Sequence, residues 1–299
     1  MTIRVFIDGA AGTTGLEIEA RLAGRAEFEL VTLDDARRKD ARVRRDALNA
    51  ADIVILCLPD DAAREAVALI DNPATRVIDA STAHRTAPGW TYGFPELGCD
   101  VAGAMRVSNP GCYATGFSGL VAPLVRTGLI GLDARLSCHA VSGYAGGGKA
   151  MIAEFEDAEA PTAWRSYALT LAHKHVPEMQ FHSGLTHPPL FAPSVAATHR
   201  GMIVDVPLFG VDPAAARGAL EAAYARSRIV RVADHDEADL TIEHMAGCDA
   251  MDLFVFARDD GSQCRLVAAL DNLGKGAAGA AVQNLNLMAG LPETTGLRL

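Results

Sequence analysis

The first hundred residues alternate short apolar runs with helical patterns, and this alternation constrains the fold more than any other feature. Residues 52–58 are apolar almost without interruption, which is typical of a parallel strand buried on both faces. The predicted elements are strands over 2–8, 28–33, 52–58 and 76–79, and helices over 12–22 and 60–70, the latter capped by Asp60 or Asp61. This order predicts an α/β domain with a doubly wound parallel sheet of the Rossmann type.

Three evenly spaced glycines lie where the first predicted strand passes into the first helix. Glycines let backbone amides approach a pyrophosphate closely, and a helix N-terminus favours its negative charge. The spacing is G-x-x-G-x-x-G rather than G-x-G-x-x-G, but its position after an N-terminal strand favours a dinucleotide site. We therefore predict that Gly9, Gly12, Thr13, Thr14 and Gly15 bind the cofactor.

The residues after the second predicted strand bear on the choice between NAD and NADP. Asp34 and Asp35 favour ribose hydroxyls and hence NAD, whereas Arg37, Arg38 and Lys39 favour the 2′-phosphate of NADP. Because three positive side chains follow so closely, we predict NADP (NADPH), with Arg37 as one of its contacts.

The second part of the chain has more strands and fewer helices. The predicted strands cover 136–141, 190–197, 202–207, 228–232, 252–257 and 264–269, and the predicted helices cover 112–125, 149–156, 213–225 and 276–288. This pattern predicts an α+β domain with a mixed or antiparallel sheet. We expect a dinucleotide-binding domain over 1–111, joined by the C-terminal segment 276–299, and a catalytic and oligomerisation domain over 112–275.

Residues 108–116, S-N-P-G-C-Y-A-T-G, place one cysteine at a turn that leads into a helix. Pro110 and Gly111 are turn residues, and the apolar run 113–125 predicts a largely buried helix. Cys112 would lie at the positive end of that helix, where a thiolate is favoured over a thiol. A thiolate can attack a carbonyl or acyl carbon, so we predict that Cys112 is a nucleophile rather than an inert core cysteine.

Composition narrows the partners and the compartment. The net charge of −10 argues against a general nucleic-acid or anionic-membrane surface. We see no apolar stretch of about 18 residues, no signal peptide and no C-x-x-C pair among the six cysteines. These features predict a cytoplasmic protein with reduced thiols, no nucleic-acid partner and no membrane association.

Two histidines precede a proline turn and are candidates for the base that a thiol enzyme requires. They are His173 and His175, followed by Glu178, which could hold an imidazole in one tautomer. No third ligand is spaced to complete a metal site with the H-x-H pair, so we predict no metal. The distance from Cys112 along the chain leaves their proximity open.

A glycine-rich run, G-Y-A-G-G-G-K-A over 143–150, nearly matches a nucleotide-triphosphate loop. The Ser or Thr that should follow the lysine is missing, so magnesium would lose a ligand. We interpret the run as a loop beside the nicotinamide or the substrate.

Six segments together resemble the N-acetyl-gamma-glutamyl-phosphate reductase family in its shorter form, and the likeness covers nearly the whole chain. The segments are 80–85 (A-S-T-A-H-R), 92–97 (Y-G-F-P-E-L), 108–116, 141–149, 173–178 (H-K-H-V-P-E) and 271–279 (D-N-L-G-K-G-A-A-G). The cysteine segment alone also fits the broader superfamily that includes aspartate-semialdehyde dehydrogenase. Segments 92–97 and 173–178 favour the reductase family over the rest of this superfamily.

The resemblance implies roles for residues in this chain. Cys112 matches the nucleophile, and His175 matches the acid/base, with His173 as its rival and a substrate contact. The other implied contacts are the glycine loop, Ser142, Gly143 and Asn272 for the cofactor, and Asn109 for the substrate. We infer in addition that Arg85 binds the phosphate or carboxylate of the substrate, because its planar guanidinium suits bidentate binding of such anions. The alternative is that Arg85 forms a surface salt bridge.

The family implies NADPH-dependent reduction of N-acetyl-L-glutamyl 5-phosphate to N-acetyl-L-glutamate 5-semialdehyde and inorganic phosphate, in arginine biosynthesis, through a thioester on Cys112. It also implies a homodimer or homotetramer. Two alternatives stay open: an aspartate-semialdehyde dehydrogenase, and a non-catalytic NADP-binding regulator that has no need of a reactive thiol.

Overall fold

The computed structural model describes residues 2–33, 40–157 and 162–299, which form two compact units. Unit 1 comprises Met1–Pro95, Cys99–Pro110 and Ala278–Leu297, and unit 2 comprises Glu96–Gly98, Gly111–Ala277 and Arg298–Leu299. The strands are β1 (Ile3–Asp8), β2 (Phe28–Val31), β3 (Ile53–Leu56), β4 (Arg76–Asp79), β5 (Thr91–Tyr92), β6 (Arg106–Ser108), β7 (Ser137–Gly143), β8 (Trp164–Ser166), β9 (Leu190–Ala196), β10 (Met202–Phe209), β11 (Val230–Val232), β12 (Met251–Ala257) and β13 (Gln263–Leu270). The α-helices are α1 (Thr13–Leu22), α2 (Ala41–Ala50), α3 (Asp60–Ala68), α4 (Cys112–Arg126), α5 (Gly148–Glu156), α6 (Val176–Ser183), α7 (Pro213–Tyr224) and α8 (Gly279–Met288).

The described residues of unit 1 form a six-stranded parallel sheet in the order β2-β1-β3-β4-β6-β5. Successive residues of β3 enter different cores because side chains alternate across a strand. Ile53 and Ile55 pack in a cluster that includes residues of α1 and α8, whereas Val54 and Leu56 pack in a cluster that includes residues of α2 and α3. The sheet is therefore covered on both faces, and the predicted doubly wound architecture is confirmed.

One local prediction in unit 1 is wrong, and one helix of this unit was not predicted. Pro59, not Asp60 or Asp61, is the N-cap of α3, so the predicted cap is wrong. Asp60 instead accepts a hydrogen bond from the backbone N–H of Thr82 at 2.9 Å, a partner distant in sequence that a local pattern does not reveal. Helix α2 is an element for which the sequence pattern gave no bounds; Asp40 caps it by accepting from two first-turn amides.

The described residues of unit 2 form a seven-stranded mixed sheet in the order β11-β12-β13-β10-β7-β9-β8. The pairs β11–β12 and β7–β9 are parallel and the others are antiparallel, which confirms the predicted mixed sheet. Helix α4 packs on β10 and β13, and its residues from Tyr113 to Val125 are all buried. This burial fixes the helix whose first residue is Cys112.

In the described part of the chain, no helix has both the length and the apolar character needed to cross a bilayer.

Candidate active site

The glycine loop of unit 1 has a backbone shape that only small residues allow. Gly9 has φ +91°, and a Cβ there would overlap the carbonyl of Cys57. Gly12 is the N-cap of α1 and has no side chain to accept from the first-turn amides. The hydroxyl of Thr13 is buried and has no hydrogen-bond partner among the described residues. A helix N-terminus with a tight glycine cradle and an unsatisfied hydroxyl fits a pyrophosphate.

A cavity of about 580 Å³ lies at the carboxyl ends of β1, β2 and β3 in unit 1. This volume is typical of sites that bind small ligands. In parallel α/β sheets, ligands usually bind at the carboxyl ends of the strands, where this cavity lies. Arg44 lines the cavity, and its Nε donates to Asp8 Oδ2 at 2.7 Å. Burial raises the pKa of Asp8, and the hydrogen bond from Arg44 opposes that effect. Arg37, the predicted NADP contact, lies outside the described residues, as do Asp34 and Asp35.

Arg85 is buried in unit 1 and directs two of its donors to backbone carbonyls. Its Nε donates to the carbonyl of Asn109 at 3.0 Å, and its Nη2 donates to that of Ala80 at 3.1 Å. Asn109 is held further by Asn284, whose Nδ2 donates to Asn109 Oδ1 at 3.0 Å. These contacts fix the backbone three residues before Cys112; binding of substrate by Arg85 and Asn109 stays a prediction.

In unit 2, α4 begins at Cys112 with Gly111 as its N-cap, as the sequence predicts. The N–H of Gly111 donates to Oε1 of the buried Glu178 at 2.8 Å. Cys112 itself is only partly buried. The thiol-bearing residue therefore lies at the positive end of a buried helix whose entry is tied to a carboxylate.

A π-helical turn, Gly274–Ala278, packs against Cys112 and is a feature that the sequence patterns do not reveal. A Cβ on Gly276 would lie 2.7 Å from Cys112 Cβ and 2.9 Å from the carbonyl oxygen of Asp271. The next residue back, Lys275, is buried and places its Nζ 2.7 and 2.9 Å from the two carboxylate oxygens of Glu96. Single π turns inside helices often occur at functional sites.

The structure brings both candidate histidines to Tyr113, the residue after Cys112. The ring of Tyr113 lies 5.8 Å from that of His175 and 5.9 Å from that of His173. Burial, together with the smaller effect of the Lys174 charge, lowers the pKa of His173 to about 4. The backbone N–H of His175 donates to His173 Nδ1 at 3.1 Å, so this nitrogen accepts and the ring is the Nε2–H tautomer at neutral pH.

Two tyrosines to which the sequence analysis assigned no role lie near Cys112. Tyr167 donates to the hydroxyl of Tyr113 at 2.9 Å, and Tyr113 donates to the carbonyl of Ser194 at 3.2 Å. Burial raises the pKa of both phenols, and the charge of Cys112 contributes in the same direction. Both phenols are therefore neutral donors at physiological pH.

The predicted cofactor residues of unit 2 are brought together by a second network. Asn272 Oδ1 accepts from the N–H of Gly201 at 3.0 Å, and its Nδ2 donates to the carbonyl of Gly143 at 3.4 Å. Ser142 is buried next to Gly143 and donates to its carbonyl at 2.9 Å. Arg200, the residue before Gly201, pairs with Asp271, the residue before Asn272. The sequence reasoning missed Arg200 because no motif marks it.

The other cysteines differ from Cys112 in their surroundings. All six cysteines are in the described residues, and no disulfide links any of them. Burial raises the pKa of Cys57 to about 12, and it also raises the pKa of Cys138 and of Cys264. These three thiols are protonated and poorly nucleophilic at neutral pH.

Two domain families match most of the chain, and both belong to the semialdehyde dehydrogenases. The semialdehyde dehydrogenase NAD-binding domain matches residues 34–104, and the semialdehyde dehydrogenase dimerisation domain matches residues 112–272. The fold is similar to that of aspartate semialdehyde dehydrogenase II from Vibrio cholerae, with a TM-score of 0.73 and 17% identity over 97% of this chain and 99% of that one. The aspartate semialdehyde dehydrogenase of Francisella tularensis gives the same TM-score at 14% identity, over 96% of this chain and 100% of the other.

Curated relatives are much closer in sequence. The N-acetyl-gamma-glutamyl-phosphate reductase of Sinorhizobium medicae is 49% identical over 96% of this chain and 99% of its own length. That of Burkholderia orbicola is 50% identical over 96% and 97%, and N-acetyl-gamma-glutamyl-phosphate reductase 2 of Pseudomonas putida is 49% identical over 98% of each. The chain belongs to the N-acetyl-gamma-glutamyl-phosphate reductase family within the semialdehyde dehydrogenases, as the sequence motifs predict.

Proposed function

We propose that this protein reduces N-acetyl-L-glutamyl 5-phosphate to N-acetyl-L-glutamate 5-semialdehyde with NADPH, releasing inorganic phosphate, as a cytoplasmic step of arginine biosynthesis. The relatives named for this reaction support it along nearly the full chain. The observation that carries the proposal is the position of Cys112 at the start of α4, with His175 packed on the adjacent Tyr113. The absence of disulfides is consistent with a reducing compartment.

Unit 1 is assigned to the dinucleotide and unit 2 to catalysis. Gly9, Gly12, Thr13, Thr14 and Gly15 would hold the pyrophosphate of the cofactor at the N-terminus of α1. When bound, NADPH supplies the hydride that reduces the acyl carbon. The preference for NADP is supported by the basic run that begins at residue 37 and by the guanidinium of Arg44 in the cavity wall.

Cys112 is assigned as the nucleophile. Its sulfur forms a bond to the acyl carbon of the substrate, and the carbon–oxygen bond to phosphate breaks, which leaves a thioester. Backbone N–H groups at the start of α4 are suited to stabilise the oxyanion that forms on the carbonyl oxygen. After reduction of that carbon, the carbon–sulfur bond breaks and the aldehyde leaves, and the sulfur takes up a proton from solvent by way of His175, which restores the thiol.

His175 is assigned as the acid/base in preference to His173. As the sulfur attacks, His175 takes the thiol proton and returns it to the leaving phosphate oxygen, so the proton is balanced within the step. The pKa of His173, lowered to about 4, makes that ring a poor proton acceptor near neutral pH. His173 is assigned instead to hold the His175 backbone and to contact the substrate.

Replacement of the nucleophile tests the proposal. The assay follows NADP reduction with N-acetylglutamate 5-semialdehyde and inorganic phosphate, with NAD and aspartate semialdehyde as alternative substrates. We expect Cys112→Ser to reduce turnover by at least about 1,000-fold because serine is a far weaker nucleophile at neutral pH. Cys99→Ser, at a half-buried cysteine of unit 1, is the control and should retain activity.

Near wild-type turnover of Cys112→Ser would refute the covalent route. Phosphate-dependent turnover of aspartate semialdehyde instead of the acetylated aldehyde would make the protein an aspartate-semialdehyde dehydrogenase. Tight NADP binding with no turnover of either aldehyde would favour the regulator alternative.

Oligomerisation, as a homodimer or homotetramer, is assigned to the face of the unit 2 sheet opposite α4. Along β10, buried residues alternate with less buried ones, and the latter include Ile203, Pro207 and the exposed Phe209. A sheet face with apolar residues that its own helices do not bury is typical of an association surface. The match of this region to a dimerisation domain supports the assignment.

A further inference from the structure

The substrate of the proposed reaction carries a carboxylate and a phosphoryl group, so its site requires cationic side chains. Lys275 is in the π turn that contacts Cys112, but its side chain is 1% exposed and its ammonium is paired with Glu96. Arg85 of unit 1 directs two donors to backbone carbonyls. Arg200 of unit 2 pairs with Asp271, just before the π turn, and keeps 18% of its side chain exposed.

Arg200 is oriented by a fully buried carboxylate. Its Nε lies 2.9 Å from Asp271 Oδ2. The other oxygen, Asp271 Oδ1, accepts from the backbone N–H groups of Leu273 at 2.7 Å and Gly274 at 2.9 Å. Asp271 is thus fixed by the backbone that leads into the π turn, and it aligns the guanidinium in turn.

The backbone that carries Arg200 is joined to residues predicted to bind the cofactor. The N–H of the next residue, Gly201, donates to Asn272 Oδ1 at 3.0 Å, and its carbonyl accepts from the N–H of Gly143 at 2.9 Å. On the other side, the N–H of Gly276 donates to the carbonyl of Asp271 at 3.0 Å. Since Gly276 lies against Cys112, a short chain of contacts links the guanidinium to the thiol-bearing residue.

We propose that Arg200 is a substrate-binding residue that takes an oxyanion of the substrate beside Cys112, and this inference rests on the proposed function. A guanidinium paired with Asp271 is a planar, permanently charged fork, which suits the recognition of a carboxylate or phosphoryl group. Both groups offer the same oxyanion chemistry, and the experiment below distinguishes them. A lysine keeps the charge but loses the fork.

Steady-state kinetics of Arg200→Met and Arg200→Lys in the direction of semialdehyde oxidation test the proposal. We expect kcat/KM to fall about 10- to 100-fold for Arg200→Met and less for Arg200→Lys, as for loss of charge-assisted hydrogen bonds. A raised KM for inorganic phosphate would assign Arg200 to the phosphoryl group, and a raised KM for the semialdehyde would assign it to the carboxylate. Arg217→Met, on the outer side of α7 in a partly exposed ion pair with Glu221, is the matched control.

A second measurement needs no turnover and separates this inference from the proposed function. Inorganic phosphate and N-acetyl-L-glutamate are tested as protectants of Cys112 against iodoacetamide, with the labelled residue identified by peptide mass. We expect protection in the wild type that Arg200→Met and Arg200→Lys weaken and Arg217→Met retains. Equal protection in all four proteins, no protection in the wild type, or kinetics of Arg200→Lys equal to those of Arg217→Met would overturn the assignment of Arg200.

Discussion

Adding a single methyl group at Gly276 should disturb catalysis far more than folding. A Cβ at this position would lie 2.7 Å from Cys112 Cβ and 2.9 Å from the carbonyl oxygen of Asp271. Carbon atoms in ordinary contact are about 3.5–4.0 Å apart, so the alanine must displace its neighbours by about 1 Å. Neither neighbour is the far end of a flexible side chain, and the displacement therefore falls on the start of α4.

The magnitudes follow from overpacking and from the geometry of attack. Overpacking a well-packed site costs about 1–3 kcal/mol of unfolding free energy. A displacement of about 1 Å in a reacting group can reduce the rate about 100-fold. We therefore expect Gly276→Ala to remain folded. Its unfolding free energy, measured by urea unfolding, should fall by about 1–3 kcal/mol, and its kcat should fall about 100-fold.

Gly218→Ala is the matched control, because a Cβ at Gly218 in α7 meets no atom within 4 Å. Alanine in a helix interior is more favourable than glycine by about 1 kcal/mol, so this variant should be stabilised and fully active. The assay measures kcat with the acetylated semialdehyde, the rate of Cys112 alkylation and the urea midpoint of each variant. If Gly276→Ala retained wild-type kcat while losing stability, the π turn would only fill space and would not position the nucleophile.

Two further predictions concern acid stability and association. The pKa of His173 is lowered to about 4 in the folded protein from an ordinary 6.5. As the pH falls, the unfolded chain therefore binds a proton at this histidine before the folded protein does. The stability present above pH 6.5 is lost as the pH falls toward 4. Because the ring is partly solvated, we expect the wild type to lose about 1–2 kcal/mol of unfolding free energy between pH 6.5 and pH 4. Urea unfolding at these two pH values should show a smaller loss for His173→Asn. An equal loss in both proteins would contradict the lowered pKa of His173. Ile203→Asp, at a partly buried position on the face of the unit 2 sheet opposite α4, should lower the mass measured by light scattering, whereas Leu132→Asp at an exposed position should not. An unchanged mass for a folded Ile203→Asp would exclude this face as the interface.

The features that could be predicted from sequence depend on residues close together along the chain. The strand–helix alternation of unit 1 follows from the periodicity of apolar residues, and the continuous apolar run that became β3 indicates burial on both faces. The start of α4 follows from the turn residues Pro110 and Gly111 and the apolar run after them. In these cases short-range preferences and tertiary packing favour the same conformation.

The features that escaped prediction depend on partners distant in sequence. Asp60 has the residue type of a helix cap, but its carboxylate accepts from Thr82 instead. The contact of His173 and His175 with Tyr113 requires α4 and α6 to pack together, and no periodicity encodes that packing. Arg200 is recognised as a candidate only from its pairing with Asp271, a contact between residues distant in sequence. The other partners of Asp271 are backbone amides, which no sequence pattern indicates.

The residues around Cys112 are held by buried carboxylates, and this explains why the site is more precise than its loops suggest. Glu178 accepts from the amide of Gly111, Asp271 accepts from two amides where the π turn begins, and Glu96 pairs with Lys275 within that turn. A buried carboxylate is strongly destabilising unless its partners are in place, so each one penalises any other backbone arrangement. Apolar residues of similar size would remove that penalty along with the desolvation cost. We infer that these charges specify the position of the nucleophile rather than add to the stability of unit 2.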